Sequence, residues 1–313
     1  MIKYCISNGS KTCLTEISSP QENCWIHLEA PSKEELALVS NITGIERDFF
    51  DDAFDIEEVA RLVVEENLQL IVVDVPKRSD PNEPSTISSV PLFIFKTDCY
   101  LVTICMKPTR VIDDFFDGKN RQADTNNRTD LTYRIMYNNA LRFIYYLKQI
   151  DKASNLLLDN LAKSLRNKEV LELLELQKSL VFLSDSLAAN NAVIQRLFSQ
   201  TGVYKNTPEN LEVLEEVIIE TNQAIAMCSV YRDIIKSSMD AFASVVNNNQ
   251  NTIMKFLTAI TIVLSIPMVI AGFWGMNTAV PGEANIWGFW IVVCITFVIC
   301  AIVYVLMARR RLL

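Results

Sequence analysis

Residues 260–277 read ITIVLSIPMVIAGFWGMN, the distal part of an apolar run that opens at Ile253 and closes on Gly275-Met276-Asn277. A second apolar run covers residues 286–307, and Arg309, Arg310 and Arg311 follow it. Each run exceeds twenty residues, the length that spans a hydrocarbon core of roughly 30 Å as a helix. The alternative, a buried helical pair in a soluble protein, is weak, because core helices rarely run this far with no charge on any face. Lys255 precedes the bulk of the first span and three arginines follow the second, while the connecting loop holds only Glu283. The positive-inside rule then places both ends in the cytosol. Trp274, Trp287 and Trp290 fall at the outer boundary, where indole rings anchor.

Working outward, the charge is uneven. Beyond residue 250 stand four basic side chains and one acidic one, a net of +3. The chain as a whole carries −8, so residues 1–250 hold a net of −11. An acidic body is a poor partner for nucleic acid, whose phosphates need Lys and Arg. Solubility explains such a balance, and the balance also suits hard cations. The eight cysteines show no C-x-x-C pair, and two of them, Cys294 and Cys300, lie in the second span as small hydrophobes. Residues 1–15 are polar with no apolar core of a signal peptide, and reduced cytosolic thiols are expected. The single histidine, His27, excludes most imidazole chemistry.

The first 125 residues mix strand and helix signals. Residues 24–28 (CWIHL) read as a strand, and Pro31-Ser-Lys-Glu-Glu-Leu as the start of a helix with acids in its first turn. Residues 61–64 and 68–73 are β-branched runs around Glu65-Glu66-Asn67, a hairpin pattern. Residues 91–95 and 100–105 form another around Thr97-Asp98, and residues 80–84 (DPNEP) read as a surface loop. The sum is an α/β domain with a largely antiparallel sheet.

From Asp130 to Thr201 there is neither Gly nor Pro, and apolar residues recur at helical spacing with a polar break at 166–168, which fits two long antiparallel helices. Gly202 closes the second. Thr207 then serves as an N-cap, Pro208 as a first helical residue and Glu209 as a charge suited to the helix dipole. No Gly or Pro follows until Pro267, so a helix from 208 to 274 is about 100 Å long and acts as a stalk entering the membrane. Leu211, Leu214, Ile218, Ile225 and Cys228 mark a seam along which neighbouring copies can pack.

Along the first span a stripe of small, hydroxylated or flexible residues recurs at three and four: Asn251, Met254, Thr258, Thr261, Ser265, Met268, Gly272 and Gly275. Such a stripe serves close helix packing. It also suits a pore wall, where neutral oxygens pass a hydrated ion that fixed charges would trap. Two helices cannot enclose a water path, so conduction requires several copies.

By average composition a Gly-Met-Asn tripeptide falls by chance in a chain of this size on the order of a few per cent of the time. Between two spans it is far less accidental. The hairpin resembles that of the CorA-type magnesium and divalent-cation transporters, whose hallmark is Gly-Met-Asn at the end of the first of two C-terminal spans. The resemblance extends to the acidic α/β body, helical hairpin, stalk and basic tail. Trp274 departs from the Tyr common in that place, and the loop 278–283 is less acidic than in many members.

The resemblance implies a fold class: an α/β N-terminal cytosolic domain, long helices and a two-helix transmembrane hairpin, assembled as a funnel-shaped homopentamer in the cell membrane. On that pattern the chain divides into the α/β domain (1–127), helical hairpin (128–206), stalk (207–252), pore-lining first span (253–274), external motif loop (275–285), second span (286–308) and basic cytosolic tail (309–313). The resemblance implies that Gly275, Met276 and Asn277 form the selectivity motif, with Asn277 contributing a ring of amide oxygens at the outer mouth. The bland role for Asn277 is a helix C-cap. Asn251, Met254, Leu257, Thr261, Ser265, Met268 and Gly272 fall along the conduction path, with Met254 and Leu257 as an apolar constriction. Mg2+ is then both cargo and regulator. Glu216 and Asp240 match regulatory acidic positions, with partners sought in residues 46–58, or are simply solvated helix faces.

A zinc, cobalt or nickel transporter of the same fold is the nearest rival, although one His and no clustered Cys favour no soft-ligand site. A membrane-anchored scaffold or sensor is another. An enzyme is the weakest, since no G-x-x-x-x-G-K phosphate loop exists and His27 beside a strand reads as structural.

Overall fold

The computed structural model describes residues 1–7, 14–55, 58–80, 83–118, 123–163, 167–200, 207–276 and 287–309. The chain divides into two compact units, Met1–Ser237 and Ser238–Leu313.

The first unit is built on a seven-stranded sheet of β1 (Ile2–Ser7), β2 (Leu14–Ile17), β3 (Trp25–Glu29), β4 (Arg61–Val64), β5 (Gln69–Asp80), β6 (Glu83–Lys96) and β7 (Leu101–Cys105), in the order β2-β1-β3-β7-β6-β5-β4. Every pairing is antiparallel except β3 with β7. Both hairpins expected around residues 65–67 and 97–98 form. The loop expected at 80–84 is shorter than its prolines suggest. Asp80 pairs with Glu83, and a register irregularity between Arg78 and Asp80 absorbs the bend.

Alternate residues of each central strand point to opposite faces, and both faces are covered. Leu70, Val72, Phe93 and Phe95 pack with Leu36 and Val39 of α1 (Lys33–Thr43) and Phe50 of α2 (Asp48–Asp51). Helix α1 starts where the acids predict. The Ser32 hydroxyl accepts from the Glu35 N–H at 3.2 Å while Glu35 Oε2 accepts from the Ser32 N–H at 2.9 Å. Ile71, Val73, Leu92 and Ile94 pack on the other face with residues of α3 (Arg110–Phe116), α4 (Arg128–Lys163), α5 (Asn167–Ser199) and the first part of α6 (Pro208–Trp274). Gly202 lies outside the described residues.

Buried polar groups tie these layers. Asn139 of α4 and Asn190 of α5 both donate to the Asp74 carbonyl at 2.8 Å, and the Asp74 N–H donates to Asn190 Oδ1 at 2.7 Å. His27 is buried and shares a 2.9 Å hydrogen bond with the Thr103 hydroxyl, which also accepts from Trp25 Nε1. Burial drives the His27 pKa down to about 3, so the ring is a neutral structural element.

Helix α6 starts as its cap residues require, with the Asn210 N–H donating to Thr207 Oγ1 at 3.3 Å. Of the seam expected to face neighbouring copies, Leu214 and Cys228 are buried within the chain itself, while Leu211, Ile218 and Ile225 are half-buried. Val213, Leu214 and Val217 lie in the core, and the buried Cys228 thiol donates to the Leu180 carbonyl at 3.3 Å. Heptad spacing identifies an apolar face without saying what covers it.

The second unit contains the rest of α6 and α7 (Gly288–Arg309). Both helices are long and apolar enough to cross a membrane, and only 6% and 0% of their most apolar stretches are buried. That separates them from the core helices of a soluble body.

Candidate functional site: the free face of the first span

Ala259 is fully buried, Val263, Ile266, Ile270 and Trp274 are half-buried, and these residues recur at spacings of three and four. Val263, Ile270 and Trp274 line a common cavity with Val292, Thr296 and Cys300 of α7. They mark the side of α6 that α7 covers. Thr261, Ser265, Met268 and Gly272 each stand two residues further along, and so are rotated about 200° from it. All four are exposed, as are Asn251, Met254 and Leu257. Thr261, Ser265, Met268 and Gly272 therefore occupy the side of the helix turned away from α7, its partner among the described residues of the unit.

The hydroxyls on this helix have a common orientation. Thr258 donates to the Met254 carbonyl at 2.8 Å, Thr261 to Leu257 at 2.8 Å and Ser265 to Thr261 at 2.7 Å. Each proton is spent within the helix, which leaves the oxygen lone pairs pointing outward as acceptors. Acceptors suit the water protons of a hydrated cation, and the sequence does not disclose that hydroxyl orientation.

The helix closes at the motif. The Gly275 N–H donates to the Ala271 carbonyl at 2.9 Å, and Met276 N–H to Phe273 at 3.4 Å. A Cβ on Gly275 would stand 3.1 Å from the Ala271 oxygen, so glycine permits this close approach. A Cβ on Gly272 would meet nothing within 4 Å. Met276 is exposed. Asn277 and the loop after it lie outside the described residues, as do Arg310 and Arg311.

Glu216 and Asp240 are both exposed on α6, the first in one compact unit and the second in the other. Glu216 stands close enough to Tyr137 of α4 that, after burial and Glu220, its carboxylate raises that phenol's pKa. Asp240 precedes Asn251 by about three turns and shares its side of the helix. Among the described residues no three His, Cys, Asp or Glu side chains converge as a metal site. Within residues 46–58, Asp52 and Glu58 are paired with Arg61. Glu46 instead lines a cleft of about 820 Å3 together with Glu65, Glu66 and Asp98, acids too far apart in sequence to be grouped by spacing.

Residues 20–310 match the family model described as CorA-like Mg2+ transporter protein. The cobalt/magnesium transport protein CorA of Methanocaldococcus jannaschii is 30% identical over 300 residues, covering 91% of this chain and 90% of that protein. The cobalt/magnesium transport protein CorA of Thermotoga maritima is 23% identical over 301 residues, covering 92% and 82%. The complete structure of the M. jannaschii CorA magnesium transporter superimposes with a TM-score of 0.87 at 26% identity, covering 99% of this chain and 98% of that one. With a sheet-based body, long helices and two unburied apolar helices at its C-terminal end, this chain belongs to the family of CorA-like Mg2+ transporter proteins, which are divalent-cation transporters rather than enzymes.

Proposed function

We propose that this chain carries Mg2+ across the cell membrane into the cytosol through a pore formed by five copies, with the free face of α6 as the wall and both chain termini in the cytosol. The observation that carries this reading is the opposition of two sides of one helix. One packs on α7, and the other leaves Thr261, Ser265, Met268 and Gly272 exposed among the described residues of its unit. Lipid would cover α7 and the remaining apolar sides, where Ile253, Phe256, Phe273 and Phe297 are exposed.

Mg2+ sheds its water reluctantly, so recognition works best through that water. A ring of Asn277 amide oxygens accepts hydrogen bonds from the coordinated waters and, being neutral, releases the ion inward. Hydroxyl acceptors at Thr261 and Ser265 continue that path. Met254 and Leu257 form the apolar constriction, which blocks by dewetting when it narrows. An inside-negative potential supplies about 2.3 kcal/mol per charge per 100 mV, twice over for a divalent ion.

Glu216 and Asp240 act as regulatory carboxylates whose remaining ligands come from other copies, so that cytosolic Mg2+ favours the closed state. The printed names of both CorA relatives include cobalt, which makes Co2+ the second cargo to test. Mg2+ uptake into proteoliposomes tests the reading. Asn277→Ala is expected to cut uptake at least about tenfold with folding intact. Equal uptake by the variant would overturn the role of the motif.

A further inference from the structure

Pro267 sits inside α6 and has no N–H, so the carbonyl four residues earlier, that of Val263, loses its helical partner. In a membrane no water replaces it, and an unpaired carbonyl there is costly. The neighbouring hydroxyls are engaged elsewhere: Ser265 donates to Thr261 at 2.7 Å, and Thr296 of α7 donates to its own Val292 carbonyl at 2.7 Å. The Cys300 thiol of α7 donates to the Val263 carbonyl at 3.7 Å, a length suited to a sulfur donor.

We propose that Cys300 is a positioning residue for transport: its thiol takes up the carbonyl that Pro267 frees, and so sets the bend of the outer part of the first span. From this contact the two helices line a cavity of about 650 Å3, with Val263 and Cys300 at one end and Gly275 and Phe289 at the other. Packing alone leaves the segment between Pro267 and Gly275 room to tilt. Those eight residues make a lever of about 12 Å, so a 10° change in bend moves Gly275 by about 2 Å. A shift of that size alters the spacing of any ring built on the Gly275-Met276-Asn277 motif. The effect falls on how well the outer mouth holds the ion, rather than on the inner constriction.

The functional arm rests on the proposed role of the motif, and a spectroscopic arm does not. The S–H stretch falls in an infrared window free of other protein bands, and hydrogen bonding lowers it. The full-length protein in lipid is expected to show a Cys300 band, identified by difference from Cys300→Ala, below that of Cys294, an exposed cysteine of the same helix. In proteoliposomes Cys300→Ala is expected to raise the half-saturating Mg2+ about threefold to tenfold, with maximal flux within about twofold and Cys300→Ser close to wild type. In a Pro267→Ala background the helix supplies its own donor to Val263, so Cys300→Ala is expected to change half-saturation less than twofold. An unshifted Cys300 band overturns the contact. An effect of Cys300→Ala equal in both backgrounds, or none in either, overturns the positioning role. Should the wild-type protein pass no Mg2+, the transport reading fails instead. The band, and the same cycle read as thermal stability, then still decide the contact.

Discussion

Leu214 and Leu257 stand on the same helix, one fully buried and the other 56% exposed. The first part of α6 buries Val213, Leu214, Val217, Ala224 and Cys228 against its own sheet and helices. Past Ser238 the helix is at least as apolar, yet Ala259 is its one fully buried hydrophobic residue among those described. Identical secondary structure thus meets two solvents. In the body, His27 and Asn190 are enclosed and paired, the first with Thr103 and the second with the Asp74 backbone. In the span the hydroxyls turn their protons inward and their lone pairs outward on the side that α7 leaves open. The body is therefore finished by folding, whereas the proposed function leaves the span to be finished by lipid and further copies.

Acid should separate the two regions most strongly. The folded body keeps His27 neutral down to about pH 3, while an unfolded chain protonates it near pH 6.5. Unfolding therefore takes up a proton between those values. This contribution is intact above pH 6.5 and is lost progressively as the pH falls toward 3, by about 5 kcal/mol in all. Thermal scans in detergent should show the acid loss shrink in a His27→Gln variant, while the helicity of the spans persists. A pH dependence identical in both proteins would break this half of the contrast.

Truncation at the two leucines comes next in size. Leu214→Ala is expected to cost about 3 kcal/mol of body stability. Leu257→Ala is expected to change stability by no more than about 0.5 kcal/mol, yet to raise Mg2+ flux severalfold at high internal Mg2+. Chemical denaturation beside flux assays reads both, and equal stability losses would erase the distinction. The carboxylate proposed as regulatory, Glu216, is expected to give a smaller effect. Glu216→Ala should leave resting stability unchanged and keep transport active at internal Mg2+ that silences the wild type, and unchanged inhibition would remove that residue from the account. The smallest effect is at Ser265. Its loss to Ala removes one outward acceptor among several, so flux should fall only about twofold.

Much of this contrast is legible in the residues. Thr207-Pro208 opens α6 and Pro267 is its first interruption, so its extent follows from capping and punctuation. The β-branched runs at 61–64 and 68–73 announce their own pairing. Strands β1 and β2 are not announced, because Lys3, Thr15 and Glu16 dilute the alternation of a short hairpin at the sheet edge. Helix α3 has seven residues, too few to show a period, and its signal is the Thr109 hydroxyl accepting from the Val111 N–H at 3.3 Å. At the site, spacing picks out the stripe from Asn251 to Gly272. It cannot show the direction of the hydroxyl protons or the donor opposite Val263, because both depend on contacts made after folding. The seam at Leu214 and Cys228 shows the same limit from the other side, since an apolar face reads alike whether its own body or another copy will cover it.

The central claim is that the side of α6 turned away from α7 is wet and conducting. In a background stripped of native cysteines, single cysteines at Thr261, Ser265 and Met268 can be compared with single cysteines at Val263 and Ile270, under a small, charged, water-borne thiol reagent during Mg2+ uptake. The account predicts that the reagent blocks uptake at the first three positions and leaves the last two unaffected. Block at Val263 and Ile270 with none at the other three would contradict it.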